Sequence, residues 1–154
     1  MTEADRDLVL TRVLDAPRDK LWRCWTDAHL LEQWFCPKPW RASDVHIDLK
    51  PGGEFSCLMR GPDGERFPNT GVFLEIVPNE RLVSTDAFLP GWRPSERAFM
   101  VAEVTFEDAG NGKTLYTARA RHWTAEAKAE HEAMGFHDGW GKAADQLEAL
   151  ARTL

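Results

Sequence analysis

Five histidines, His29, His46, His122, His131 and His137, are the residues of this 154-residue chain best able to carry a proton or bind a metal near neutral pH. A metal site on one helix needs two ligands a turn apart. His131 and His137 are six residues apart, about 240° around a helix, so they share no face. No cysteine stands at a metal-ligand spacing from a histidine, and neither a metal nor another cofactor is expected. Acid–base chemistry asks for less. His122 adjoins Trp123 and His137 adjoins Phe136, and desolvation beside an aromatic ring keeps an imidazole neutral and fit to act as a base. Glu103 could approach His122 across a hairpin. Asp138 adjoins His137, but neighbours on a helix do not face one another. Among Cys24, Cys36 and Cys57, a reactive thiolate would need a positive, partly exposed setting. Cys57, set among Phe55 and Met59, reads as a small core residue, which leaves Cys36 as the one candidate nucleophile. There is no Gly-x-Ser-x-Gly elbow, and Pro51-Gly52-Gly53 lacks the Lys of a phosphate loop.

The aromatic residues carry a second signal. Seven Trp and eight Phe stand against one Tyr, more large apolar surface than hydroxyl chemistry requires. Trp34 and Phe35 end a short helical stretch, and Phe136 and Trp140 begin the deeper part of a long one. Phe55, Met59 and Phe88 come from strands or the loop beyond them. Together with His122 and His137 these seven are the candidate ligand-binding residues. A lining of Met and aromatic side chains suits an apolar or aromatic molecule held by few fixed polar contacts. The same residues serve equally well as ordinary core.

The elements that must position them follow from periodicity. Residues 8–14 are β-rich and end at Asp15-Ala16-Pro17, a strand running into a helix start. Leu21, Trp22, Trp25, Leu30, Leu31, Trp34 and Phe35 recur at helical spacing, interrupted at Thr26-Asp27, where one residue caps a second short helix from Ala28. Pro37 and Pro39 end the run. Val45, Ile47 and Leu49 alternate as a half-buried strand, and Phe55, Cys57 and Met59 form the next after Pro51-Gly52-Gly53. Gly61-Pro62-Asp63-Gly64 makes a hairpin turn. Further strands are expected over 71–77, 81–87, 98–107 and 114–122, joined by short turns and therefore antiparallel. On the last pair, Met100, Ala102, Val104 and Phe106 make the apolar face; Ala118, Ala120 and His122 then point inward, with Glu103, Arg119 and Arg121 toward solvent. From Thr124 to Leu154 there is no proline. Phe136, Trp140, Ala144, Leu147 and Leu150 form one helical stripe, and Gly135, Gly139 and Gly141 predict a break, a kink or close backbone packing within it.

Composition narrows the function classes. Nineteen basic against twenty-five acidic residues give a net charge of −6, which opposes non-specific binding to nucleic acid or to an anionic membrane. No apolar run approaches the roughly 18 residues of a membrane span. The charged N-terminus carries no secretory stretch, and three cysteines without a C-x-x-C pair outline no disulfide framework. A cytoplasmic location is expected, for a single domain over residues 1–154.

Asp15-Ala-Pro-Arg-Asp-Lys-Leu-Trp-Arg-Cys-Trp-Thr-Asp27, followed by Trp34-Phe35, resembles the opening of the homologues of the activator of the heat-shock-protein-90 ATPase. Asp48-Leu-Lys-Pro-Gly-Gly-Glu-Phe55 is similar to a second hallmark of that family. Pro62-Asp-Gly64, Gly71, Glu75 and Pro78-Asn-Glu-Arg-Leu82 resemble a third, and Gly139-Trp140 with Leu147 and Leu150 the final helix. The resemblance implies the SRPBCC, START-like superfamily. Its α+β helix-grip fold wraps a curved antiparallel sheet of about six strands around a long C-terminal helix, with two short helices after the first strand and a cavity between sheet and helix. The expected function is binding of an apolar or aromatic small molecule there. The alternatives are a cyclase- or hydrolase-like enzyme using a pocket histidine, and a partner of a chaperone or regulator. A homodimer is compatible with all three.

Overall fold

Apolar residues at alternate positions draw seven strands into one antiparallel sheet whose inner face is closed by helices. The computed structural model describes residues 3–154. Among these the chain forms a 3-10 helix (Glu3–Arg6), nine strands and four α-helices. The strands are β1 (Asp7–Leu14), β2 (Arg41–Ile47), β3 (Glu54–Arg60), β4 (Arg66–Val77), β5 (Arg81–Thr85), β6 (Phe88–Leu89), β7 (Arg93–Pro94), β8 (Val101–Gly110) and β9 (Lys113–Arg121). The helices are α1 (Arg18–Thr26), α2 (Ala28–Leu31), α3 (Ala125–Ala133) and α4 (Phe136–Ala151). The main sheet runs β1-β9-β8-β5-β4-β3-β2, and β6 pairs with β7 as a separate ribbon. The sheet thus has seven strands rather than about six, and the expected loop around Pro90-Gly91 folds back on itself as the ribbon.

Local chemistry sets the helix ends. Asp27 accepts from the Leu30 amide at 3.1 Å and starts α2, while Thr124 accepts from the Ala127 amide at 3.0 Å and starts α3. The long terminal helix is broken. Gly135 sits at φ +95°, a left-handed conformation that strains any residue with a Cβ, and α4 begins directly after it. One sequence reading needs correction. In β2 the alternation slips at a bulge between Ser43 and His46, with Asp44 at φ +52°. Ala42 and Val45, three apart, therefore both point inward, and Leu49 lies exposed beyond the strand.

The core sits between the sheet's inner face and α1, α2 and α4. Leu10, Tyr116, Ala118, Val104 and Phe106 supply the sheet side; Leu21, Trp22, Ala144 and Leu147 supply the helix side. Trp22 meets the Phe106 ring edge-on at 5.8 Å. The outer face carries charge instead, as strand parity predicts. Glu75 pairs with Arg81 at 2.7 Å, Arg81 with Glu103 at 3.0 Å, Glu103 with Arg121 at 2.9 Å, and Arg119 with Asp7 at 3.1 Å, a ladder of alternating sign across five strands. This disposes of Glu103 as a partner for His122, since the two point to opposite faces.

Gly71 sits where the backbone of the neighbouring strand leaves no room for a side chain. A Cβ built there would overlap the Thr85 carbonyl oxygen of the neighbouring strand. Because the obstacle is backbone, Gly71→Ala is expected to destabilise the fold by about 1–3 kcal/mol, the usual range for overpacking. Urea denaturation checks this; an unchanged midpoint would mean that β4 and β5 separate without resistance.

Candidate functional site

Two aromatic groups form where the sheet meets the helices. The first is held by the segment after α2. Trp34 donates its indole N–H to the Cys24 carbonyl at 2.9 Å. Gln146 of α4 donates to the carbonyls of Trp34 and Cys36, each at 2.9 Å, and accepts from the Lys38 amide at 3.0 Å. With the backbone so fixed, Trp25 and Trp34 pack edge-on at 4.9 Å, and Phe35 meets Trp34 at 5.7 Å and Phe55 at 6.0 Å. Phe55 in turn stacks on the fully buried Phe73 at 5.0 Å.

The second group forms at the break between α3 and α4. The end of β9 brings in His122, α3 brings His131, α4 brings Phe136 and Trp140, and the segment entering β8 brings Phe99. The His122 and His131 rings are bonded to each other, Nε2 to Nδ1, at 2.9 Å. His122 Nδ1 lies 2.8 Å from the Arg6 carbonyl oxygen. Around His131 stand Phe99 at 4.8 Å, Phe136 at 5.3 Å and Trp140 at 5.8 Å, with Phe136 and Trp140 in contact at 4.5 Å. Both imidazoles are buried. Burial, then the neighbouring His122, pushes the His131 pKa down from 6.5 to about 4, so this ring is neutral at pH 7. A neutral imidazole among aromatic rings can accept or relay one proton, and its surroundings favour uncharged species.

A family model described as Activator of Hsp90 ATPase homolog 1-like protein matches residues 15–152. The chain belongs to this family. A protein of Nitrosomonas europaea of solved structure is 43% identical, with 99% of this chain and 97% of that one covered and a TM-score of 0.94. A Mycobacterium smegmatis protein is 26% identical over 97% and 92% of the two chains, with a TM-score of 0.80. An Arthrobacter aurescens protein, 23% identical over 100% and 90%, shares the fold with a TM-score of 0.83. No match is found among curated proteins. These likenesses place the chain in the helix-grip fold, and no helix among the described residues is long and apolar enough to cross a membrane.

On this family scaffold the sequence-predicted residues separate. Trp34, Phe35 and Phe55 meet in the first group; His122, Phe136 and Trp140 meet in the second. Met59 packs half-buried against the core. Phe88 has its ring contact with Trp92 at 5.7 Å, in the β6–β7 ribbon. His137 is exposed and holds Glu132 at 3.1 Å, so it is not the desolvated base its neighbour Phe136 suggested. His122 is inward and buried as parity requires, yet both its ring nitrogens are already bonded. Cys36 is corrected as well. Burial pushes its thiol up to about 11, and that of Cys57 to about 12, so neither is a thiolate at pH 7. Sequence reasoning missed His131 and Phe99. His131 falls within α3, whose buried position carries no apolar residue to mark it, and its partner lies nine residues back across the Trp123-Thr124 cap.

Proposed function

We propose that this chain is a cytoplasmic small-molecule-binding protein that takes an apolar or aromatic ligand between the sheet and the C-terminal helix. The observation that carries the reading is a set of side chains from separate elements, Phe35, Phe55, Met59, Met100 and Trp140. Each packs against the core while keeping part of its surface uncovered. Partly uncovered aromatic and Met side chains on the gripping face are what an apolar ligand would complete. Titration of the native protein with prodan, an uncharged naphthalene dye, tests this through dye emission and quenching of Trp fluorescence. Saturable binding is expected, weakened about tenfold by Trp140→Ala, the equivalent of about 1.4 kcal/mol of lost apolar contact. An absence of saturable binding would reject the reading.

One observation favours a second reading, a small-molecule enzyme. The coupled His122–His131 pair supplies a neutral base at the edge of the same apolar face. Turnover of aromatic esters and polyketide mimics that is lost in His131→Gln, with prodan binding retained, would favour the enzyme; binding without turnover leaves the binding protein as the better account.

A further inference from the structure

Between β5 and β8 the chain leaves the main sheet and returns beside its point of departure. Side chains close the neck of this excursion. The Asp86 carboxylate accepts from the Phe99 and Met100 amides at 2.9 and 3.2 Å. Thr85 donates its hydroxyl to the Met100 carbonyl at 2.9 Å and accepts from the Ala87 amide at 3.1 Å. Residues 87–98 therefore form a surface loop with its ends tied together, and β6 and β7 are its two limbs. No residue within it is buried. What lies beneath is. Val72 stands opposite Glu54 and Thr85 in the sheet register, and its neighbour Phe73 points into the core, so Val72 faces outward. It is nonetheless fully buried, and β6 packs against β4.

The tip of the loop has one close foothold. The Trp92 indole lies on the bare Cα of Gly52, so near that a Cβ there would meet the ring at 2.8 Å. Gly52 donates its amide to the Phe73 carbonyl at 2.7 Å, which fixes the foothold to β4. Two costs stand against this contact. Trp92 is held at φ +59°, a left-handed conformation that bulky residues rarely adopt. Ser95 Oγ is shut off from solvent with no hydrogen-bond partner among the described residues, and such a hydroxyl forfeits its hydration. Lifting the loop relieves both. The ion pair from Arg97 to Glu130 of α3 spans 3.9 Å between exposed groups and adds little.

We infer that residues 87–98 are a strap, hinged at Asp86 and latched by Trp92 on Gly52, whose release uncovers an apolar patch on the outer face of the sheet. The patch joins Val72 to the strap's own Phe88, Leu89 and Trp92. Phe99 and Met100 stay with the sheet, because their amides remain on the Asp86 carboxylate. The strap thus lifts without disturbing the His122–His131 pair.

Thiol labelling reads the strap directly. Cys24, Cys36 and Cys57 are buried, so in Val72→Cys the introduced thiol is the one the strap controls. Its alkylation by iodoacetamide, located by mass spectrometry, should be about tenfold faster when Trp92→Ala is added, since the open fraction rises as the latch is lost. Trp92→Phe, which keeps an aromatic ring on Gly52, should restore most of the protection. Hydrogen exchange in the Trp92→Ala single variant needs no introduced thiol. It should quicken over residues 87–98 and stay unchanged in β8 and β9. Equal labelling rates with and without the indole would overturn the latch. Faster exchange throughout the sheet would overturn the strap as a unit that moves by itself.

Discussion

Phe136→Ala is expected to destabilise the protein by about 3–5 kcal/mol, the largest effect of any single side chain at the site. Phe136 is 1% exposed and begins α4 just after the Gly135 break. Its ring touches His131 at 5.3 Å and Trp140 at 4.5 Å, so truncation removes contacts to both helices at once. Alanine is the better helix former, so the loss is one of packing and not of helix propensity. For a chain of this length the melting temperature should fall by roughly 6–20 °C. Trp140→Ala should cost less, because the Trp140 ring is only partly covered. Thermal and urea denaturation of both variants check the order. A Phe136→Ala loss under about 1 kcal/mol would mean that the junction is not packed as described.

Acidification is expected to remove about 3 kcal/mol of stability through His131 alone. Its pKa in the folded protein, about 4, lies below the ordinary 6.5, chiefly because burial penalises the charged ring and secondarily because of His122. A depressed imidazole pKa means that the unfolded chain binds more protons than the folded one between those two values. Stability is therefore fully present above pH 6.5 and declines as pH falls toward 4. In His131→Gln this part of the slope should disappear, since the amide does not titrate in that range and can still donate to His122 Nε2. Urea denaturation of both proteins between about pH 7.5 and about pH 4.5 measures the difference. Parallel stability curves would show that His131 titrates in the folded protein as it does in water.

The fold was legible because its signals are local and repeated. Period-two alternation put Phe55, Cys57 and Met59 on one face, the turn at Gly61–Gly64 joined two strands, and the cluster of glycines announced the break that falls at Gly135. Where alternation misled, at Leu49, the cause was that β2 ends at Ile47 and the chain has already left the sheet. The site was legible only in part. Trp34, Phe35, Phe136 and Trp140 are large and apolar, so periodicity places them. The two imidazoles are polar groups in buried positions, defined by a contact across a helix cap and by one carbonyl oxygen of the N-terminal segment. Spacing rules framed His131 only as a metal ligand. Placing it beside His122 requires knowing that α3 folds back over the end of β9.

Helix α3 has consequences for how the molecule opens. Among the described residues its one buried side chain is His131, whereas α4 buries Phe136, Gly141, Ala144, Leu147 and Ala151. Its attachment therefore rests on an imidazole contact and a few ring edges, with a left-handed glycine as the joint to the rest of the chain. Local unfolding free energies follow buried contact, so amide hydrogens of this nine-residue segment are expected to exchange well before those of the sheet. Such an opening would expose the Phe136 and Trp140 rings while leaving the pairing of the seven strands intact.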